Sequence, residues 1–273
     1  MTMQRLERPD AAIAYRVDGE EGRPWLVLSN SLGTSHAMWE PQLALLTQAF
    51  RVLRYDTRGH GSSSAPPAPY GFPMLAGDVV ALMDRLGIDR ATFMGLSLGG
   101  MTGLELALRH PGRIERLVCC DARADCPDAY RQIWPANIER ARAGGMEAVA
   151  DATLSRWFSD AFRADPANEG VLAATRAQIV ATSVEGYVGC ASALLTLDFL
   201  KELGSLRLPV LYIVGEHDPA APAAVMKGMA DATPGADFEA IAGAAHLSNI
   251  EAPAAFNDIV AGWLGIGPDR QRT

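Results

Sequence analysis

The sequence predicts an α/β fold: a mostly parallel central sheet flanked by helices, with a helical insertion between two of its strands. Three observations predict it. Short apolar runs alternate with amphipathic, helix-length segments over residues 11–122, the element order that builds a parallel sheet covered on both faces. Runs such as "FMG" and "LVCC" are apolar without alternation, which suits strands buried on both sides. From about residue 124 to 203 every segment has helical spacing and no convincing strand occurs, after which the alternation resumes.

Taken in order, "AAIAYRVDG" alternates like a strand, and "RPWLVLSN" is a short β-rich run ending in small polar residues. "EPQLALLTQAF" has helical spacing. "RVLRYD" reads as a strand running into the Gly-rich turn "TRGHGSSSAPPAPYG". "MLAGDVVALMDRLG" is an amphipathic helix stopped at Gly87. "RATFMG" is a strand, "GGMTGLELALRH" a helix ended by Pro111, and "IERLVCCDA" another strand. The insertion reads as the helices "DAYRQIWPANIERARAG", "GMEAVADATLSRWF", "GVLAATRAQIVAT" and "VEGYVGCASALLTL". The strand "LPVLYIVGEHD", the helix "PAAVMKGMADAT", the strand "ADFEAIAG" and the helix "APAAFNDIVAGWLG" close the fold. The tail "GPDRQRT" is expected to fray.

At 273 residues, 49% apolar and 21% charged, the chain has the material for a substantial core. A net charge of −8 and the absence of a Lys/Arg cluster argue against nucleic acid as a partner. The opening "MTMQRLERPD" has no apolar h-region, and no apolar run is long enough to cross a bilayer. Cys119, Cys120, Cys126 and Cys190 match neither a zinc site nor a redox pair. Reduced thiols in a cytoplasmic protein are the simplest expectation, with Cys126 as a rival nucleophile.

Gly95-Leu96-Ser97-Leu98-Gly99 is a G-x-S-x-G stretch between a predicted strand and a predicted helix, the setting a nucleophile elbow requires. A nucleophile there sits on a strained backbone, so its neighbours two residues away must lack bulk. Gly100 and Gly103 would let the helix lie close to the sheet. The alternative is a serine N-cap in a Gly-rich turn. A phosphate-binding loop is disfavoured, since neither G-K-[ST] nor G-x-G-x-x-G occurs there.

A serine nucleophile needs a base. His246, in "GAAHLSN" near the C-terminus, fits the chain order Ser, acid, His. His36 and His60 lie in early loops, His110 closes a helix, and His217 sits beside Asp218. The acid is expected at Asp218, which ends a buried strand where ligands meet such sheets. Glu216 and Asp121 are its rivals, while Asp56 is expected to bond the loop backbone. The oxyanion hole needs two backbone donors: the N–H of Leu98, and one from "SNSLGT", assigned to Leu32.

With these residues in place the sequence resembles the α/β-hydrolases, and among them the 3-oxoadipate enol-lactonases. The similar stretches are "VLSNSLGT", "RVLRYDTRGHG", "GLSLGG", "RHPGRIERLV", "SRWF", "EGY" and "GAAHLSNIE". "SNSLGT" is the more specific, because most α/β-hydrolases have His-Gly where this chain has Asn30-Ser31. The resemblance implies the triad Ser97, Asp218, His246, with Leu32 and Leu98 as oxyanion donors. It implies an α/β-hydrolase core of residues 1–123 and 204–273 under a helical lid, 124–203. It also implies opening of a small lactone in aromatic-compound breakdown, without cofactor or metal. Asp121 departs from the family, which tends to carry a neutral polar residue there.

Such an enol-lactone carries a carboxylate, which a chain at −8 repels at long range, so a local cation is needed. Arg58 and Arg123 are the candidates, unless they pair with Asp56 and Asp121. Trp134, Trp157, Phe158 and Trp39 are candidates for the pocket wall or for simple packing. A general carboxylesterase, a hydrolase of carbon–carbon bonds and a cofactor-free perhydrolase would share the triad. An acyltransferase and a non-catalytic ligand-binding relative are further alternatives. A haloalkane dehalogenase would want Asp at position 97. The natural substrate and the oligomeric state stay open.

Overall fold

A computed structural model describes residues 3–267, so residues 268–273 of the tail expected to fray lie outside the described residues. The chain opens with β1 (Gln4–Glu7), β2 (Ala12–Asp18) and β3 (Trp25–Ser29), then α1 (Glu40–Leu46) and β4 (Arg51–Tyr55). It continues through α2 (Phe72–Arg85), β5 (Ala91–Leu96), α3 (Leu98–Arg109) and β6 (Ile114–Cys120). After β6 come six helices: α4 (Asp128–Arg131), α5 (Ile133–Gly144), α6 (Glu147–Trp157), α7 (Asp160–Ala164), α8 (Glu169–Ala181) and α9 (Val184–Leu194). The core resumes with β7 (Val210–Gly215), α10 (Ala223–Ala232), β8 (Asp237–Ile241), α11 (Ser248–Glu251) and α12 (Pro253–Leu264).

The eight strands form one sheet in the order β1-β2-β4-β3-β5-β6-β7-β8. Only the β1–β2 and β2–β4 pairings are antiparallel. Every residue of β5 and β7 is buried, as expected where helices cover both faces. β3 and β5 are neighbours, with Ser29 beside Gly95. From β3 the chain crosses to β4 on one side, and from β5 to β6 on the other. Such a reversal opens a crevice at the carboxyl ends of the two strands, where ligands bind in sheets of this type.

Several elements differ from the sequence reading, which contains neither the short helices α7 and α11 nor the first strand. β1 was not expected, because its side chains are exposed or half-buried and leave no apolar alternation. The segment 128–144 is two helices, broken at Gln132. Pro135 lacks an N–H and its ring would clash with a carbonyl one turn earlier, so the helix restarts with Pro135 in its first turn. Between β6 and β7 the described residues hold no named strand, only an isolated bridge between Asp125 and Asp198.

These helices are tied down over the crevice. The Leu247 N–H donates to the Trp157 carbonyl (3.0 Å), and Ser183 N–H to that of Gly59 (3.3 Å). Glu251 accepts from the Ser159 hydroxyl (2.5 Å) and from Ala245 N–H (2.8 Å). α9 passes so close to the turn after β4 that a Cβ on Gly59 would lie 2.2 Å from Gly186 Cα. All four cysteines are free and buried. Among the described residues no helix is long and apolar enough to cross a membrane.

Candidate active site

Ser97 follows the last residue of β5 and precedes α3, with φ 57° and ψ −115°. Its N–H is held by the Cys120 carbonyl (2.8 Å). Non-glycine residues rarely occupy positive φ, and they do so where surroundings compel it. The surroundings here are glycines. A Cβ on Gly95 would lie 2.3 Å from Gly99, and one on Gly99 would lie 2.3 Å from the Ser29 carbonyl oxygen. A Cβ on Gly100 or Gly103 would meet Ala122 or Leu117 at under 3 Å. These glycines press α3 onto β3, β5 and β6, so the turn projects Ser97 into the crevice.

His246 and Asp218 come from the loops after β8 and β7. His246 Nδ1 donates to Asp218 Oδ2 (2.8 Å). Asp218 Oδ1 accepts from the N–H groups of Ala220 (2.7 Å) and Ala221 (3.1 Å). These contacts place the imidazole proton on Nδ1 and leave Nε2 without a protein partner among the described residues. The His246 ring stacks against Trp157, centroids 6.5 Å apart. Ser97 and His246 line the same cavity.

That cavity has about 80 Å³ of free volume. Ser31, Leu32 and Gly33 form its floor, and Pro219 and Ala220 one edge. The helical segment supplies the roof, including Tyr130, Trp134, Met146, Arg156, Trp157 and Tyr187. The loop after β3 is bonded almost throughout. Ser31 N–H meets Met38 Sδ (3.2 Å), Thr34 N–H the Ser31 carbonyl (3.1 Å), and Ser35 N–H Gln178 (3.1 Å). Gly33 N–H donates to His60 Nε2 (2.9 Å), whose Nδ1 donates to the Arg58 carbonyl (3.1 Å). Burial pushes His60 below the ordinary histidine value, in keeping with this neutral tautomer. The Leu32 N–H, in the same loop, has no acceptor among the described residues. Leu98 N–H, at the first position of α3, is likewise free of an intrahelical partner.

Arg58 and Arg123, expected as cations for a substrate carboxylate, do not line the cavity. Arg58 is 1% exposed. It is held by Asp78 through Nε and Nη2 (2.6 and 2.7 Å) and by Asp10 (3.0 Å). Its expected alternative partner, Asp56, instead accepts from the backbone and ring of His36. Arg123 pairs with Asp125 (3.1 Å) and lies over the Tyr130 ring, behind the wall. Trp134 and Trp157 do line the cavity. Trp39 is packed in the core against Phe256, and Phe158 stacks on Phe162 beside an outer groove. Cys126 lies away from the cavity, and burial raises its thiol. His110 caps α3, and His217 is exposed beside Glu216.

Sequence reasoning missed Arg156. It lines both the cavity and the outer groove, and faces no carboxylate within ion-pair distance among the described residues. Its one side-chain partner is the Thr153 hydroxyl (3.2 Å). Burial, with the nearby Arg140 cation adding to it, holds its guanidinium below the ordinary arginine range. An anion beside it would relieve both. The only signal in the sequence was its place in "SRWF".

Asp121, weighed as a rival acid, does not touch His246. It sits at φ 47° beyond β6. Oδ1 accepts from Gly215 N–H (2.8 Å) and Oδ2 from the Ser248 hydroxyl (2.6 Å). It thus joins the strand leading to Asp218 with the helix that follows His246. Burial, and after it the Asp218 carboxylate, pushes Asp121 well above the ordinary carboxylate range. A carboxyl raised in this way releases its proton at a higher pH in the native chain than in the unfolded chain, where it leaves near about pH 4. Its contribution to stability falls as pH rises. Asp121→Asn keeps the bond from Gly215 N–H to Oδ1 and reverses the other, its Nδ2 donating to the Ser248 hydroxyl oxygen, and it tolerates the positive φ. Its melting temperature is expected to equal or exceed the parent's, by a margin that grows from pH 4.5 to pH 8. Asp121→Ala, which strands Gly215 N–H and Ser248, is expected to lose about 1–3 kcal/mol. A margin that shrinks with pH would mean that Asp121 is ionised in the native state.

Comparison with known proteins agrees with this architecture. A family model described as the alpha/beta hydrolase fold matches residues 24–253. The chain is 36% identical to 3-oxoadipate enol-lactonase 2 of Acinetobacter baylyi, covering 93% of this chain and 94% of that protein. The crystal structure of an enol-lactonase from Burkholderia xenovorans LB400 superposes with a TM-score of 0.92 at 44% identity, covering 96% of this chain and all of the other. A thermophilic esterase from Thermogutta terrifontis superposes at 0.88 with 28% identity, covering 97% and 98% of the two chains. With its switch-point crevice, its strained serine after β5 and a matching family model across most of its length, the chain belongs to the α/β-hydrolase fold family.

Proposed function

We propose that this α/β hydrolase, an enzyme acting on an ester or lactone, opens a small lactone that carries a carboxylate, of the 3-oxoadipate enol-lactone type, in aromatic-compound breakdown. Ser97 attacks the lactone carbonyl while His246 Nε2 takes its proton. Asp218 holds the imidazole in the required tautomer and stabilises its charged form. The N–H groups of Leu32 and Leu98 receive the developing oxyanion, each such donor being worth about 10²–10³-fold in rate. Ring opening leaves an acyl-enzyme whose leaving group stays tethered. Water activated by the same histidine then releases the acid and restores Ser97. The helical segment 124–203 serves as a lid that keeps this exchange away from bulk water.

The chemistry rests on one observation above the others: the strained Ser97 and His246, whose Nε2 has no protein partner among the described residues, line one cavity. Arg156 supports the substrate's charge. It is an unpaired cation in the wall of a site within an acidic protein, and a charge-assisted bond to a carboxylate contributes about 1.5–3 kcal/mol. Named activities of the similar proteins, enol-lactonases and esterases, bracket the same reaction.

Turnover of 3-oxoadipate enol-lactone measured beside a short, neutral p-nitrophenyl ester tests this reading. The lactone is expected to be preferred in kcat/KM. Arg156→Gln is expected to lower kcat/KM for the lactone by roughly 10–100-fold, mostly through KM, and to change the neutral ester by less than about 3-fold. A parent that prefers the ester would leave the serine chemistry in place and remove the lactone from it. An Arg156→Gln variant that keeps its KM for the lactone would remove the carboxylate contact.

A further inference from the structure

We propose that Ser31 is a further catalytic residue, its hydroxyl giving the substrate's carbonyl oxygen a third hydrogen bond, beside Leu32 N–H and Leu98 N–H, as negative charge develops there. The proposal rests on the hydrolase reading of Ser97 and His246.

Ser31 is 1% exposed, and its Oγ has no hydrogen-bond partner in the protein among the described residues. Buried polar groups in native proteins are overwhelmingly paired, and an unpaired one calls for an explanation. The rest of Ser31 is fully engaged. Its N–H meets Met38 Sδ, and its carbonyl accepts from Thr34 N–H, the Thr34 hydroxyl (2.8 Å) and Asn30 Nδ2 (2.9 Å). The backbone is thereby fixed, and the hydroxyl is the one group of the residue with unused capacity. Ser31 is also one of the residues lining the cavity that holds Ser97 and His246.

Its position in the chain supplies the role. Ser31 directly precedes Leu32, whose N–H has no acceptor among the described residues. Covalent geometry keeps the Oγ of one residue within a few ångströms of the next residue's amide nitrogen. A serine hydroxyl rotates freely about its C–O bond and can donate toward the point at which that amide aims. A neighbouring backbone held by Met38, Thr34 and Asn30 needs little rearrangement when charge appears, which is what makes such donors effective.

An unpaired hydroxyl contributes nothing to the fold, so its removal separates catalysis from stability. Ser31→Ala is expected to keep or raise the melting temperature. On the same lactone or ester, kcat is expected to fall roughly 10–100-fold, with KM within about 2-fold of the parent. Phosphonylation of Ser97 by a phosphonofluoridate, whose phosphoryl oxygen takes the oxyanion's place, is expected to slow by a similar factor. Parental kcat in Ser31→Ala, with Ser97→Ala inactive, would overturn the role of Ser31 and leave the nucleophile standing. A lowered melting temperature with a raised KM would assign the hydroxyl to structure and overturn the proposal as well. Full activity in Ser97→Ala would overturn the hydrolase reading itself, and the oxyanion contact would fall with it.

Discussion

Ser97→Ala is expected to fold as the parent does and to lose at least ~10⁴-fold in kcat. The size of the loss follows from the arrangement. In the proposed mechanism no acyl-enzyme forms without the hydroxyl, and what remains is the cavity, the proposed oxyanion donors and a histidine acting on water. Stability should be untouched, because the Ser97 hydroxyl bonds to no other element among the described residues, and alanine shares serine's difficulty with a φ of 57°. Ser97→Gly makes the sharper comparison. Glycine accepts that backbone freely, so relief of strain is expected to add about 1–3 kcal/mol. The two variants should thus be equally inactive and unequally stable. Activity assays beside thermal unfolding check this. Near-parental turnover in Ser97→Ala would remove the nucleophile. A glycine variant no more stable than the alanine variant would remove the strain.

The elbow was legible because it is a local steric problem. A positive φ at Ser97, glycines at 95 and 99 and an apolar strand before them all fall within a few residues. His246 and Asp218 were legible for a related reason: each follows the carboxyl end of a strand, and the parallel sheet puts those ends on one rim. The substrate's surroundings were not legible. Whether an arginine is free or paired depends on carboxylates brought in from elsewhere. Arg58 meets Asp78 from α2 rather than the nearer Asp56. Arg156 meets no carboxylate at all among the described residues, although other arginines of the helical segment do. Asp121 looked like a second acid because it ends a strand. Its actual partners lie 94 and 127 residues away, at Gly215 and Ser248. β1 escaped notice because an exposed edge strand carries no apolar pattern.

Asp78→Ala is expected to destabilise the fold by about 3–5 kcal/mol, the usual effect of removing one partner from a buried ion pair. Asp78 and Arg58 are both almost wholly shielded from water, and the guanidinium meets the carboxylate with two of its nitrogens. Arg8 adds a second cation to Asp78 (3.1 Å), and the half-exposed Asp10 balances it against Arg58. Without Asp78 two arginines share one exposed carboxylate, and Arg58 stays buried beneath Tyr70 with its charge only partly compensated. The melting temperature should fall on the order of 10 °C. Asp10→Ala, which removes only a partner near the surface, is expected to fall by about 1 kcal/mol or less. Because this cluster lies outside the cavity, folded Asp78→Ala protein should keep the parent's KM for an anionic lactone. The contrast with Arg156→Gln then separates a cation that holds the fold from the one proposed to meet substrate. Equal stability in Asp78→Ala and parent, joined to a raised KM in Arg58→Ala, would return Arg58 to the site.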